Sequence, residues 1–180
     1  MASYGGQLAY SLVDLRLNNG LGDVVADAKN RVLARNVAEQ LTAVRHRNGR
    51  DYWLICHEWQ SNAFRVYVVT AAGIGPPILS AVGLAQPTDT LAAGFTEQAQ
   101  GFLQASPDGY HLANAILGRT AGTSSCGLFD FDTDRGTVSS FVSLGALRDA
   151  YSPCFSPDNS KLYVPNFSLA PGRLNYNVIS

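Results

Sequence analysis

The chain is poor in charge, has no long apolar run and carries few cysteines. Charged residues make up 15% of its 180 residues, against roughly a quarter in ordinary soluble chains. Formal net charge is −1, with no basic stripe, which argues against phosphate-driven binding of nucleic acid. No stretch of eighteen apolar residues occurs, so no segment reads as a membrane-spanning helix. The first eight residues lack a basic region followed by an apolar core, so no secretory leader is expected. The cysteines, Cys56, Cys126 and Cys154, are odd in number and widely spaced. They suggest neither a disulfide framework nor a zinc pattern. Buried thiols acting as small apolar groups are expected, and a bridge between Cys126 and Cys154 is the alternative.

What is present is apolar and repetitive. Hydrophobic residues reach 46%, which excludes a disordered chain and suits one compact domain. Residues 102–116 contain Ser106-Pro107-Asp108-Gly109, and residues 155–166 contain Ser156-Pro157-Asp158-Asn159. Each has a strand-like lead-in, a tight turn and an apolar strand. Proline presets φ, Ser and Asp satisfy local backbone groups, and Gly or Asn accepts a left-handed conformation. A third, diverged copy is expected at Arg47-Asn48-Gly49-Arg50, without the proline.

Strand signals surround these turns. Residues 7–17 alternate and close on a turn at Asn18-Asn19-Gly20. Residues 21–33 are read as a loop with a short strand, and a short helix over 32–41 is the alternative. A hairpin is expected from 41–45 and 51–57, then strands at 64–70 and 78–84, with 71–77 a loop because it holds two glycines and two prolines. Further strands are expected at 101–105, 110–116, 127–131 and 137–144, then at 151–155, 161–166 and 173–179. Residues 85–100, 118–125 and 169–172 read as connections.

Four-stranded units recurring at about fifty residues point to β-propeller blades. The fold expected is all-β: a partial β-propeller of about three blades of four-stranded antiparallel sheets plus N-terminal outer strands. In one domain over 1–180, residues 7–33 supply the N-terminal strands, 38–84 the first blade, 101–145 the second and 150–180 an incomplete third. The Ser-Pro-Asp-Gly turn followed by Leu128-Phe129-Asp130-Phe131-Asp132 resembles the repeats of YVTN-type and WD-repeat-like propellers. Residues 8–167 also resemble the N-terminal propeller region of gliding-motility-associated secreted bacterial surface proteins, which carry C-terminal sorting domains. That likeness rests on residues 8–15, Gly20-Leu21-Gly22-Asp23-Val24-Val25, residues 41–46, Asn48-Gly49-Arg50-Asp51-Tyr52-Trp53-Leu54 and His57-Glu58-Trp59. It implies an extracellular or cell-surface, multidomain, non-enzymatic parent. The chain lacks the family's leader, its sorting domain and several blades, so a fragment of such a protein is expected.

Chemistry-bearing motifs are sparse. Asp130-Phe131-Asp132-Thr133-Asp134 resembles the start of a calcium loop, but Arg135 and Phe141 stand where the loop requires Gly and Glu. His57 and Glu58 lie beside Trp53 and Trp59, yet neighbours on a strand point to opposite faces. His46 and His111 adjoin turns and are expected to be exposed. Neither a nucleophile elbow nor a phosphate loop is present. The function expected is a non-catalytic interaction or scaffold module with no cofactor. Its partner would be a protein or another surface ligand, with self-association through open blade edges. The alternative is a propeller hydrolase of the lactonase type with a metal in the central channel. Its candidate ligands are Glu58, Asn114 and Asn166, read as the ends of second strands.

Overall fold

The computed structural model describes residues 6–85, 100–117, 125–145, 147 and 150–165, with the backbone alone of 166 and 175–179. The chain is all-β and has the form of a partial β-propeller. The first sheet takes β1 (Gly6–Tyr10), β4 (Arg31–Arg45), β5 (Tyr52–Glu58), β6 (Ala63–Thr70) and β7 (Gly73–Ala81), paired in that order. Between β1 and β4 stands a small hairpin of β2 (Val13–Asp14) and β3 (Asp23–Val24). The second sheet has β8 (Gly101–Ala105), β9 (His111–Ile116), β10 (Ser125–Asp132) and β11 (Thr137–Ser143), in sequence order from β8 to β11. The third has β12 (Cys154–Phe155), β13 (Leu162–Asn166) and β14 (Asn175–Ile179). All pairings are antiparallel. The leading strands β4, β8 and β12 lie side by side, and β7 touches β11 further out.

The repeated turns have one hydrogen-bond scheme. The Ser106 amide bonds to the His111 carbonyl, and the Gly109 amide to the Ser106 carbonyl, both at 2.9 Å. At the next turn the Ser156 amide bonds to the Lys161 carbonyl at 2.9 Å and the Asn159 amide to the Ser156 carbonyl at 3.0 Å. Each serine hydroxyl donates to its aspartate at 2.6 Å and accepts the amide five residues on at 2.9 Å. The third copy starts at His46, one residue before the frame expected from sequence. There the His46 amide bonds to the Asp51 carbonyl and the Gly49 amide to the His46 carbonyl, both at 2.9 Å. Asn48 Oδ1 takes the Arg50 amide as the aspartates take theirs. The last turn residue is left-handed in every copy: Gly49 at φ 73°, Gly109 at 79° and Asn159 at 61°. Hydrogen bonds from the Ser156 hydroxyl, then from Ser160, draw the pKa of Asp158 down to about 2.

Alternation along the strands divides the core. Trp53, Ile55, Phe64 and Val66 of the first sheet pack against Leu103, Leu112, Phe129, Phe131 and Val138 of the second. Ala113, Ala115 and Cys126, on the other face of the second sheet, meet Leu162 and Val164 of the third. The far face of the first sheet, with Cys56 and Tyr67, is covered by Leu8, Leu33, Ala34 and Val37. The Tyr67 hydroxyl donates to the Leu33 carbonyl at 3.2 Å. The first half of β4 thus lies across that face before a register shift between Val37 and Leu41 lets its second half pair with β5.

Several expectations are corrected. Residues 31–45 form one long strand: 41–45 is the hairpin arm expected, but 31–40, expected as a loop with a short strand or a helix, continues it, because the first half pairs with β1 and the second with β5. Residues 11–28 are more broken than the alternation suggests. A helical turn at Leu17–Gly20, left-handed at Asn18 and Asn19, links β2 to β3. A 3₁₀ turn follows at Ala26–Ala28. Residues 73–77 belong to β7 despite Pro76 and Pro77. That strand is the outer edge of its sheet, where missing N–H donors are tolerated. The connections expected at 86–99, 118–124 and 169–172 lie outside the described residues.

The tie between the first two sheets centres on Trp53. Its indole N–H donates to the Thr133 carbonyl at 2.9 Å, and its ring stacks on His46 at 4.8 Å. A Cβ at Gly136 would stand 2.6 Å from the indole, and Gly136 has φ 69°. Trp53→Ala is predicted to cost about 3–5 kcal/mol. Trp53→Phe should cost nearer 1 kcal/mol, because the Arg47 amide still satisfies the Thr133 carbonyl. Urea denaturation of both variants measures the difference.

Candidate functional site

Position along each second strand is best counted from its turn. Glu58 stands twelve residues after His46, Asn114 eight after Ser106 and Asn166 ten after Ser156. Two residues of strand span about 6–7 Å, so the three lie at different heights and not at corresponding ones. Glu58 ends β5 and Asn166 ends β13, whereas Asn114 is inside β9. For Asn166 only the backbone is described, and it pairs with Asn175.

The faces differ as well. Glu58 shares its face of β5 with Cys56, the side away from the second sheet. Its Oε1 accepts from Arg65 Nε at 3.1 Å and pairs closely with Nη2 of the same guanidinium. Asn114 follows the parity of Leu112 and looks towards the first sheet. Glu58 and Asn114 are therefore on opposite sides of β5.

The structure instead brings His57 to Asn114. Both line a cleft of about 20 Å³ between the first and second sheets, at the end away from the repeated turns, with Ile116, Ser125, Phe129 and Phe141. His57 is 2% exposed and its ring stands edge-on to Phe64 at 4.7 Å. Nδ1–H donates to the Glu58 carbonyl at 2.8 Å, which leaves Nε2 as an acceptor. Burial pushes the imidazole pKa down to about 4, so it is neutral at physiological pH. Asn114 is 4% exposed, and its Oδ1 is buried without a hydrogen-bond partner among the described residues. Two acceptors in one cleft favour a donor, and the volume admits a group the size of one water. Among the described residues, no three His, Cys, Asp or Glu side chains gather to hold a metal.

Other candidate groups are committed elsewhere. Asp132 Oδ1 accepts the Asp134 and Arg135 amides, and its carboxylate pairs with Arg135. His46 and His111 are half-buried rather than exposed. Burial raises the Cys56 thiol to about 11 and the Cys126 thiol to about 12, which removes both as nucleophiles at neutral pH. Cys154 is exposed, against the expectation of a buried thiol, and all three cysteines are free. Adjacency in sequence points to His57 and Glu58, whereas the cleft is lined by His57 and Asn114. Alternation, counted from the turns, carries the signal for it.

No protein-family model matches the chain, and no curated protein matches it. Solved structures do. A Bacteroides fragilis protein provisionally named 6-phosphogluconolactonase aligns over 97% of this chain and 49% of its own, with TM-score 0.51 and 14% identity. A similarly named protein from Bacteroides uniformis aligns over 94% and 48%, with TM-score 0.49 and 12% identity. Kuenenia stuttgartiensis hydrazine synthase gives 88% and 51%, with TM-score 0.43 and 16% identity. The chain spans about half the length of these structures. At such identity the first of them shows the fold alone.

Two measurements follow. The unfolded imidazole of His57 takes a proton near 6.5, and the folded one only near 4. Acid therefore favours the unfolded chain. Stability from this group is full above pH 6.5 and is lost as pH falls towards 4, by up to about 3 kcal/mol. His57→Gln should flatten that dependence in urea denaturation across the range. Asn114→Leu removes a buried orphan acceptor, so its stability should lie within about 1 kcal/mol of the parent or above it.

Proposed function

We propose that this chain is a sector of a β-propeller acting as a non-catalytic interaction module of a large secreted or surface-bound bacterial protein. The observation that carries the reading is the β2–β3 hairpin. Leu12, Val13, Leu15, Leu17 and Leu21 are 52%, 62%, 74%, 40% and 81% exposed within one short stretch. Large apolar side chains presented together on a projecting element favour a partner surface. The partner would be a protein or another surface ligand. The resemblance of residues 8–167 to gliding-motility-associated surface proteins supports the extracellular setting, and the reading calls for no cofactor.

A lactonase-type hydrolase is the second reading. The provisional name of the Bacteroides fragilis structure favours it, as does the cleft lined by His57 and Asn114. Against it, Glu58 is held by Arg65 on the opposite side of β5 from Asn114, so these two candidate ligands do not converge.

Hydrolysis of δ-gluconolactone, measured with and without added calcium or zinc, tests the choice. No protein-dependent turnover is expected. Turnover that Asn114→Leu abolishes would replace the module reading with the hydrolase. The double change Leu15→Ser, Leu21→Ser should leave stability within about 0.5 kcal/mol and reduce binding of the apolar dye bis-ANS.

A further inference from the structure

Asn-Gly occurs twice in the chain, at Asn19-Gly20 and Asn48-Gly49. In this dipeptide the asparagine side chain is open to attack by its own backbone, because glycine has no side chain to shield the following nitrogen. The two copies sit in opposite surroundings. Asn48 is tied at both side-chain polar atoms. Its Nδ2 donates to Asp51 Oδ2 at 2.7 Å, and its Oδ1 accepts the Arg50 amide at 3.0 Å and the Asp51 amide at 3.1 Å. The Gly49 amide, which would have to attack, is bonded to the His46 carbonyl at 2.9 Å.

Asn19 stands at the tip of the β2–β3 hairpin. It is exposed, and among the described residues its side chain makes no hydrogen bond. The Leu17–Gly20 turn that carries it holds no buried residue. Two backbone bonds of 3.1 Å close the loop, from the Leu21 amide to the Asn18 carbonyl and from the Gly22 amide to the Leu17 carbonyl. A Cβ at Gly20 would meet nothing within 4 Å, so no neighbour crowds that backbone. A turn without packed side chains opens locally at little cost, and opening brings the Gly20 nitrogen within reach of Asn19 Cγ.

From this contrast we infer that Asn19 is a site of spontaneous conversion to aspartate and isoaspartate, while Asn48 is preserved by its turn. The Gly20 nitrogen gives its proton to a solvent base and attacks Asn19 Cγ. The N–Cγ bond forms, the Cγ–Nδ2 bond breaks, and ammonia leaves. Water then opens the cyclic imide at one or other carbonyl carbon. One opening yields aspartate; the other yields isoaspartate, with the main chain rerouted through the former side chain. No oxidant or reductant takes part. Either product places a carboxylate among the exposed Leu15, Leu17 and Leu21. A charge there must be desolvated when an apolar partner covers it, so conversion weakens docking. That consequence rests on the reading of the hairpin as a partner surface; the conversion itself does not.

Peptide mapping by mass spectrometry, after the protein is held in warm and mildly alkaline buffer, reads the conversion at each asparagine. Asn19 should convert about tenfold or more faster than Asn48 in the folded protein. In urea, where both dipeptides are released, the two rates should come within about threefold of each other. Asp51→Ala, which frees Asn48 Nδ2, should speed conversion of Asn48 and leave Asn19 unchanged. Equal rates in the folded protein, or faster loss at Asn48, would overturn the inference. The surface effect has its own readout: Asn19→Asp should lower binding of the anionic dye bis-ANS, and undiminished binding would refute the effect on docking. The peptide map involves no partner. Failure of the conversion is thus told apart from failure of the docking reading, which would show as bis-ANS binding indifferent to Leu15→Ser with Leu21→Ser.

Discussion

The Thr133 carbonyl accepts two hydrogen bonds from the first sheet, one from the Trp53 indole and one from the Arg47 amide. Both come from the β4–β5 turn and its neighbouring strand, and both end on the β10–β11 turn. Sheets that only touched through apolar faces could slide, because the hydrophobic effect is not directional. The two bonds set how one sheet sits on the next. Gly136 lets the backbone approach the indole where any Cβ would collide. Below this tie the aromatic column of Phe64, Phe129 and Phe141 fills the gap.

The repeated turn does a related job at each leading hairpin. Its hydroxyl and carboxylate replace backbone partners that the sharp reversal removes, so the strands leave in fixed register. Successive turns also meet. Asn159 Oδ1 accepts the Asp108 amide at 3.4 Å, and Gln40 on the first leading strand reaches the Gln100 carbonyl at 3.4 Å. The sheets are therefore joined near the centre and at the turn end, while the opposite end opens on the His57–Asn114 cleft. Its lining is largely apolar, with His57, Asn114 and Ser125 as its polar residues.

Much of the fold was legible. The Ser-Pro-Asp turns, the alternation of Trp53 and Ile55 against Leu54 and Cys56, and the wet and buried sides of residues 128–132 all follow from local chemistry. The site was less so. Glu58, Asn114 and Asn166 look alike in a list of polar residues near strand ends. Their heights and faces follow only once the turn frame is set, and that frame shifted by one residue when His46 proved to take the serine's place. The long β4 was hidden for another reason. Its first half, Arg31 to Val37, has mixed polarity because one side lies on the first sheet and the other faces solvent.

Local residue chemistry determined the turns and the strand periodicity, since each depends on neighbours a few positions apart. Tertiary packing alone decided that β1 pairs with the first half of β4 and that Pro76 and Pro77 fit an outer edge. It also decided that His57 faces Asn114 across a gap between sheets while Glu58 turns away to Arg65. Those outcomes depend on how far one sheet is rotated and stepped against the next, a quantity set by contacts between residues some sixty to eighty positions apart, as at Gln40 with Gln100 and Trp53 with Thr133.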